Sequence, residues 1–295
     1  MDSLIISLKK GDILDLIQAV ILGIVQGLAE FLPVASAGQV ILATHVLGVT
    51  YPSESSALAF NTLLHLGTLT AVVGYFWRDI IKIIRAFIYS ILDLFNGNFI
   101  TNLKSDTYKR LAWLLIVSTI PASIVGVLFT KQFQFLFNSV MAVGIFLIIN
   151  GIILWSSEHV KGGDKKIKGI SWKNALFIGL FQSFALFPGI SRSGSSITAG
   201  LFSGVDRECA AKYAFLMAVP VIAAAVIAEY KDILALSQIG AVSIISAYLA
   251  VVIFGYLSIG LLIRIIKGTT LRIFAYYCWV IGGLALILSY MHILI

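Results

Sequence analysis

The sequence predicts an all-α polytopic membrane protein, with six transmembrane helices and two re-entrant helix–loop–helix hairpins arranged as an inverted-topology repeat. Three observations carry this. The 295 residues are 59% hydrophobic and only 12% charged, with a mean hydropathy of +1.00; a soluble domain is about 45–50% apolar and about 25% charged. Six stretches are long and apolar enough to cross roughly 30 Å of hydrocarbon as helices. Two further apolar segments are each interrupted by Pro, Gly and Ser, and their sequences resemble one another.

The six spans run approximately Ala57–Trp77, Leu111–Thr130, Val140–Trp155, Ala210–Ala228, Ile239–Ile263 and Ile273–Ile295. The interrupted segments are Ile13–Leu47, broken at Pro33-Val34-Ala35-Ser36-Ala37-Gly38, and Trp172–Phe202, broken at Pro188-Gly189-Ile190-Ser191-Arg192-Ser193-Gly194. Each half is too short to span. Broken backbone at membrane depth is tolerated only where it is buried in protein or lines a wet cavity. The chain is one integral membrane domain over 1–295, with repeats at approximately 13–156 and 172–295. Met1–Asp12 has no small-residue cleavage site after it and is expected to be mature sequence.

Basic residues orient the spans. With the Arg78–Arg110 loop on the cytoplasmic side, 16 of the 21 Lys and Arg residues fall inside, among them Lys165, Lys166, Lys168, Arg207, Lys212, Arg264 and Lys267. This is the positive-inside bias, and it places both termini outside. The formal charge of +7 serves that orientation and the anionic lipid surface, with no nucleic-acid partner. Cys209 and Cys278 lie in apolar runs and have no metal-ligand or disulfide spacing.

The first hairpin then enters from outside and the second from inside. Gly23–Phe31 parallels Gly179–Phe187, and each is followed by Pro and, three residues later, by Ser (Pro33/Ser36, Pro188/Ser191). An inverted repeat puts its site near the midplane, where broken helices present backbone N–H groups to an anion.

Polar residues in these segments are the candidates. Glu30 ends an apolar helix, where an unpaired carboxylate costs at least a few kcal/mol. Arg192 is its natural partner, because a guanidinium forks onto phosphate or carboxylate oxygens. Ser36 lies six residues after Glu30 across the Pro33 turn and is the nucleophile candidate. Gln26, one helical turn before Glu30, shares its face. His65, mid-span, fits a packed histidine and a catalytic one equally well.

Gly23–Gly38 resembles the first signature of the undecaprenyl pyrophosphate phosphatase family (the bacitracin-resistance phosphatases): Glu/Gln-x-x-x-Glu running into Phe-Leu-Pro and a Ser-rich turn. Pro188–Ile197 is similar to its second signature, with Ser196 in place of Thr. Phe76-Trp77-Arg78-Asp79 and Asp206-Arg207-Glu208 match as well, and the likeness covers nearly the whole chain. The resemblance implies hydrolysis of a polyprenyl diphosphate to the monophosphate, recycling the lipid carrier of envelope glycans. It implies Glu30, Ser36 and Arg192 as catalytic residues. It also implies a divalent cation, Mg²⁺ or Ca²⁺, bridging the diphosphate and Glu30. The substrate-binding set is then Gln26, Gly38, Gln39, His65, Gly189, Ser191, Ser193, Gly194 and Ser196. The partners expected are the polyprenyl diphosphate and the plasma membrane, with the site opening outward; flat apolar outer faces would permit a homodimer without deciding the oligomeric state.

One departure stands out. Where that family commonly carries flanking serines and a His after the first Pro, this chain has Ala35, Ala37 and Gln39, and glutamine does not titrate. General acid–base help is typically worth about 10²–10⁴-fold, so reduced activity is expected unless Glu30 or His65 takes the role. A lipid-phosphate transporter or flippase, or a paralogue that binds without turnover, fits the same architecture.

Overall fold

The computed structural model describes residues 14–137, 139–160, 163–230, 232–268 and 270–293. The reading of Met1–Asp12 as mature sequence lies outside them. The described chain is all-helical. In order, the helices are α1 (Leu16–Phe31), α2 (Ser36–Val46), α3 (Glu54–Tyr75), α4 (Trp77–Phe95), α5 (Phe99–Ser105), α6 (Thr107–Leu128), α7 (Thr130–Phe137), α8 (Val140–Ser157), α9 (Trp172–Ser183), α10 (Arg192–Phe202), α11 (Arg207–Ala228), α12 (Ala241–Gly268) and α13 (Arg272–Tyr290). Six of them, α3, α6, α8, α11, α12 and α13, are long and apolar enough to cross a membrane. They match the six predicted stretches to within a few residues, as a multi-pass membrane protein requires.

Helix starts follow from side-chain caps. Asp15, Ser53 and Ser171 each accept from a backbone N–H three residues on, with that residue's side chain reaching back in a capping box. Asp206 caps α11 by accepting from Cys209 N–H at 3.2 Å. The next residue, Arg207, forks onto Glu158 at 3.1 and 2.7 Å. Leu271 N–H donates to that carboxylate at 2.8 Å, so one acid ties the end of α8 to the starts of α11 and α13.

The bundle is built on long helix pairs: α1 lies along α12, α9 along α6, and α8 along α13. With no water to expel inside a bilayer, such pairs depend on close backbone approach and packing. At Gly27 a Cβ would come within 2.8 Å of the Val251 carbonyl oxygen, so α1 and α12 touch there backbone to backbone.

One region departs from the sequence reading. The basic Arg78–Arg110 stretch, expected as a loop, is mostly helix: a 19-residue α4 and a short α5. Its positive charges fit an orienting loop, but beneath them apolar residues recur with the 3.6-residue periodicity of a helix. Phe76 joins α3 to α4 and reaches the interior, with Phe76 against Phe215 (6.0 Å between ring centroids) and Phe215 against Phe31 (5.7 Å).

Candidate active site

Both interrupted segments break where expected. The first leaves α1 through Leu32 in extended backbone and Pro33, then re-enters helix at Ser36 through Ala35, whose φ of 64° is left-handed. A non-glycine residue held there costs roughly 1–2 kcal/mol, and such strain is retained where the surroundings over-determine it. The second leaves α9 through a short 3₁₀ turn, Phe184–Leu186, and re-enters at Ser191. Gly189 there has φ +112°, and a Cβ on it would sit 2.6 Å from the Val143 carbonyl oxygen and 2.9 Å from Leu147 N. Glycine is required at 189 on both counts.

The two turns meet, and Asn150 of α8 joins them. Its Nδ2 donates to the Pro33 carbonyl at 3.1 Å, and its Oδ1 accepts from Ser191 N–H at 3.0 Å. Ser193 Oγ adds a bond to the Leu32 carbonyl at 3.3 Å. Gly38 faces Gly189 so closely that a Cβ would lie 3.2 Å from its Cα.

The chemistry-bearing side chains converge at this junction. Glu30, its side chain only 5% exposed, accepts from three donors. Arg192 Nη2 meets Oε1 at 2.8 Å; Gln26 Nε2 and Ser36 Oγ meet Oε2 at 2.9 and 2.6 Å. A buried charge is tolerated when it is both paired and hydrogen-bonded, and Glu30 is both. Arg192 Nη1 is buried with no hydrogen-bond partner among the described residues. A guanidinium thus tethered by one nitrogen and unsatisfied at another has a donor available for an anion. His65 lies within Coulombic reach of Glu30.

The remaining predicted residues divide. Ser191 accepts from Gly194 N–H at 3.1 Å and bonds Ser193 Oγ at 3.0 Å, so Ser191, Ser193 and Gly194 build the second turn. Ser196 is buried one turn further along α10, its hydroxyl unpartnered among the described residues. Gln39 turns to the protein at both ends of its amide: Nε2 donates to the Val34 carbonyl at 2.9 Å, and Oε1 accepts from Tyr277 Oη at 3.0 Å. Glutamine at this position braces the Pro33 turn against α13.

Sequence reasoning missed Asn150 and Tyr277. Asn150 is fully buried inside an apolar span, and the rule that singles out Glu30 would have found it. Tyr277 gives no such signal, being one of several aromatics on α13. Beside Tyr277, an apolar groove of about 660 Å³ opens between α1 and α2 on one side and α13 on the other, lined by Leu28, Leu32, Leu42, Ile281 and Leu284, with Gln39 at its inner end.

The family described as bacitracin resistance protein BacA matches residues 19–284. The chain belongs to the BacA family. Among its relatives is an undecaprenyl-diphosphatase of Methanosphaera stadtmanae, 45% identical over 94% of this chain and 99% of that protein. Another, of Methanobrevibacter smithii, is 44% identical over 95% of this chain and 100% of that protein. A third, of Alkaliphilus metalliredigens, is 40% identical over 92% and 98% respectively. The resemblance read from the two signatures is thereby shown across the chain.

Proposed function

We propose that this protein is a polyprenyl-diphosphate phosphatase. It would hydrolyse a lipid diphosphate of the undecaprenyl class, named for its BacA relatives, to the monophosphate and inorganic phosphate. The observation that carries this is the continuous link Arg192–Glu30–Ser36 across the junction of the two turns, with a second Arg192 nitrogen unspent.

Phosphoryl transfer asks for positioning, charge neutralisation and a nucleophile rather than elaborate covalent chemistry. Arg192 supplies the first two by forking onto the terminal phosphate, exchanging its bond to Glu30 for one to substrate. Glu30, relieved of that cation, takes the proton of Ser36 as the hydroxyl oxygen attacks the terminal phosphorus. The bond from that phosphorus to the bridging oxygen breaks, and the lipid monophosphate leaves with the electron pair. Water then hydrolyses the phosphoserine, releasing inorganic phosphate. The apolar groove beside Gln39 supports a substrate with a long hydrocarbon tail, since Leu28, Leu32, Leu42, Ile281 and Leu284 line it.

A divalent cation fits as one that arrives with the diphosphate. Among the described residues no group of three or more His, Cys, Asp or Glu converges, and Glu30 offers a single carboxylate, with Gln26 and Ser36 as neutral oxygens beside it. Mg²⁺ sites of one or two carboxylates plus substrate phosphates are common. Bound there, Mg²⁺ or Ca²⁺ would neutralise charge on the phosphate oxygens.

The architecture we propose is an inverted repeat whose interrupted segments are re-entrant hairpins. At 1.5 Å per residue, α1 and α9 are about 24 and about 18 Å long, short of roughly 30 Å of hydrocarbon. The pairing of α1 with α12 beside that of α9 with α6 agrees with such a repeat. The distribution of Lys and Arg supports a site opening to the extracytoplasmic side.

The test is phosphate release from a C55 diphosphate by purified protein with Mg²⁺ or Ca²⁺. Wild type is compared with Ser36→Ala, Glu30→Ala, Arg192→Ala and the triple variant. Release at the triple-variant background, with lipid binding retained, would overturn the enzyme reading.

A further inference from the structure

Helix α4 takes no part in the site, and its surface divides into three lengthwise stripes. Ile80, Ala86 and Ser90 are buried, facing α6, where Trp113 Nε1 donates to Ser90 Oγ at 2.9 Å and packs on Phe87. Trp77, Ile81, Ile84, Ile88, Leu92 and Phe95 recur at three- and four-residue spacing. All six are exposed, Trp77 at 52% and Phe95 at 81%. Arg78, Lys82 and Arg85 form the third stripe, roughly 90° around the helix from the apolar one at about 100° per residue.

The charge on this helix is one-sided. Its two acids are each paired with another helix: Asp79 with Lys212 at 2.8 Å and Asp93 with Lys109. Among the described residues Arg78, Lys82 and Arg85 enter no salt bridge; Arg78 lies over the Trp77 ring and Lys82 over Tyr108, each at 5.4 Å. Three cations in its first half bar α4 from the hydrocarbon core, and six exposed apolar side chains are ill-suited to water.

We propose that α4 lies in the plane of the membrane interface and is a binding surface for anionic phospholipids. Its apolar stripe enters the acyl boundary, and Arg78, Lys82 and Arg85 meet the headgroups. A zwitterionic leaflet would accommodate the apolar stripe equally well; the three uncompensated cations select the anionic lipid. The inference depends on the membrane architecture and not on the catalytic reading.

Trp77 stands on the apolar stripe and reports on it. The experiment reconstitutes the full chain in phosphatidylcholine vesicles containing increasing fractions of brominated phosphatidylglycerol or, in parallel, brominated phosphatidylcholine. Trp77 quenching is taken as the difference between the parent and Trp77→Phe. The expected result is quenching by both lipids, with a clear preference for the anionic one that salt weakens. Each cation is worth roughly a fivefold preference, so Arg78→Gln with Lys82→Gln and Arg85→Gln lowers that preference by on the order of a hundredfold at low ionic strength. Arg78→Lys with Arg85→Lys retains it, which separates charge from disrupted folding. Equal quenching by both lipids in the parent, or a preference surviving the triple substitution, overturns the proposal. So does a Trp77 shielded from both lipids, as it would be between two copies of the chain.

Discussion

The two interrupted segments share a sequence pattern and a shape but not a setting. Nine of the eleven residues of α10 are buried, and the helix is packed by α8, α9 and α11. Of the eleven in α2, only Gly38 and Gln39 are buried, and one flank of α2 borders the apolar groove. The backbones differ too. The second turn reaches positive φ with glycine at 189, whereas the first forces it on an alanine at 35. The helix before the first turn carries Glu30 in its last turn, and the matching position before the second turn is Leu186. On the proposed function, the buried segment, with the cation, would hold phosphate, and the open one, with the carboxylate and hydroxyl, would admit the lipid and act on it.

Four tests bear on that contrast. The largest effect belongs to Arg192→Ala, which should lower phosphate release at saturating lipid by on the order of 10³–10⁵-fold. Arg192→Lys, keeping the charge without the fork, should recover only part of this. A rate for Arg192→Ala within tenfold of the parent would break the assignment of the second turn as the holder. Asn150→Ala comes next, because it leaves Ser191 N–H and the Pro33 carbonyl buried without their partner. A loss of about 2–5 kcal/mol is expected, read as a fall in melting temperature in detergent.

The third test sets the turns against each other. Gly189→Ala should cost more than about 2 kcal/mol, since the new Cβ meets α8 backbone at a φ that disfavours it. Ala35→Gly should change stability by less than about 1 kcal/mol, because relief of left-handed strain and loss of a buried methyl oppose one another. Equal losses in a denaturation assay would erase the contrast. Smallest is Tyr277→Phe, which removes one hydrogen bond from the open side. It should cost about 0.5–1.5 kcal/mol and raise KM for a long-chain substrate more than it lowers kcat.

The fold was legible because bilayer physics leaves few choices. An apolar stretch of sufficient length is a span, and Pro-Gly-Ser in the middle of one is a break. Glu30 and Arg192 were legible for the same reason, as charges where charges are expensive. What escaped were groups whose importance lies in a partner distant in sequence. Tyr277 meets Gln39 across most of the chain, and no local pattern encodes that. Ala35 carries a conformation that alanine is among the last residues to advertise. Helix α4 escaped because its cations answered one question, orientation, before a second was asked.

Asn150 has a consequence for how the molecule can work. A single amide grips one turn with its nitrogen and the other with its oxygen, and Ser193 Oγ adds a second tie to the Leu32 carbonyl. A machine that rocked its halves to carry lipid across the membrane would have to tear that amide from one jaw and rehydrate it in every cycle. Joined in this way, the jaws suit a vice that grips its workpiece while the tool does the cutting.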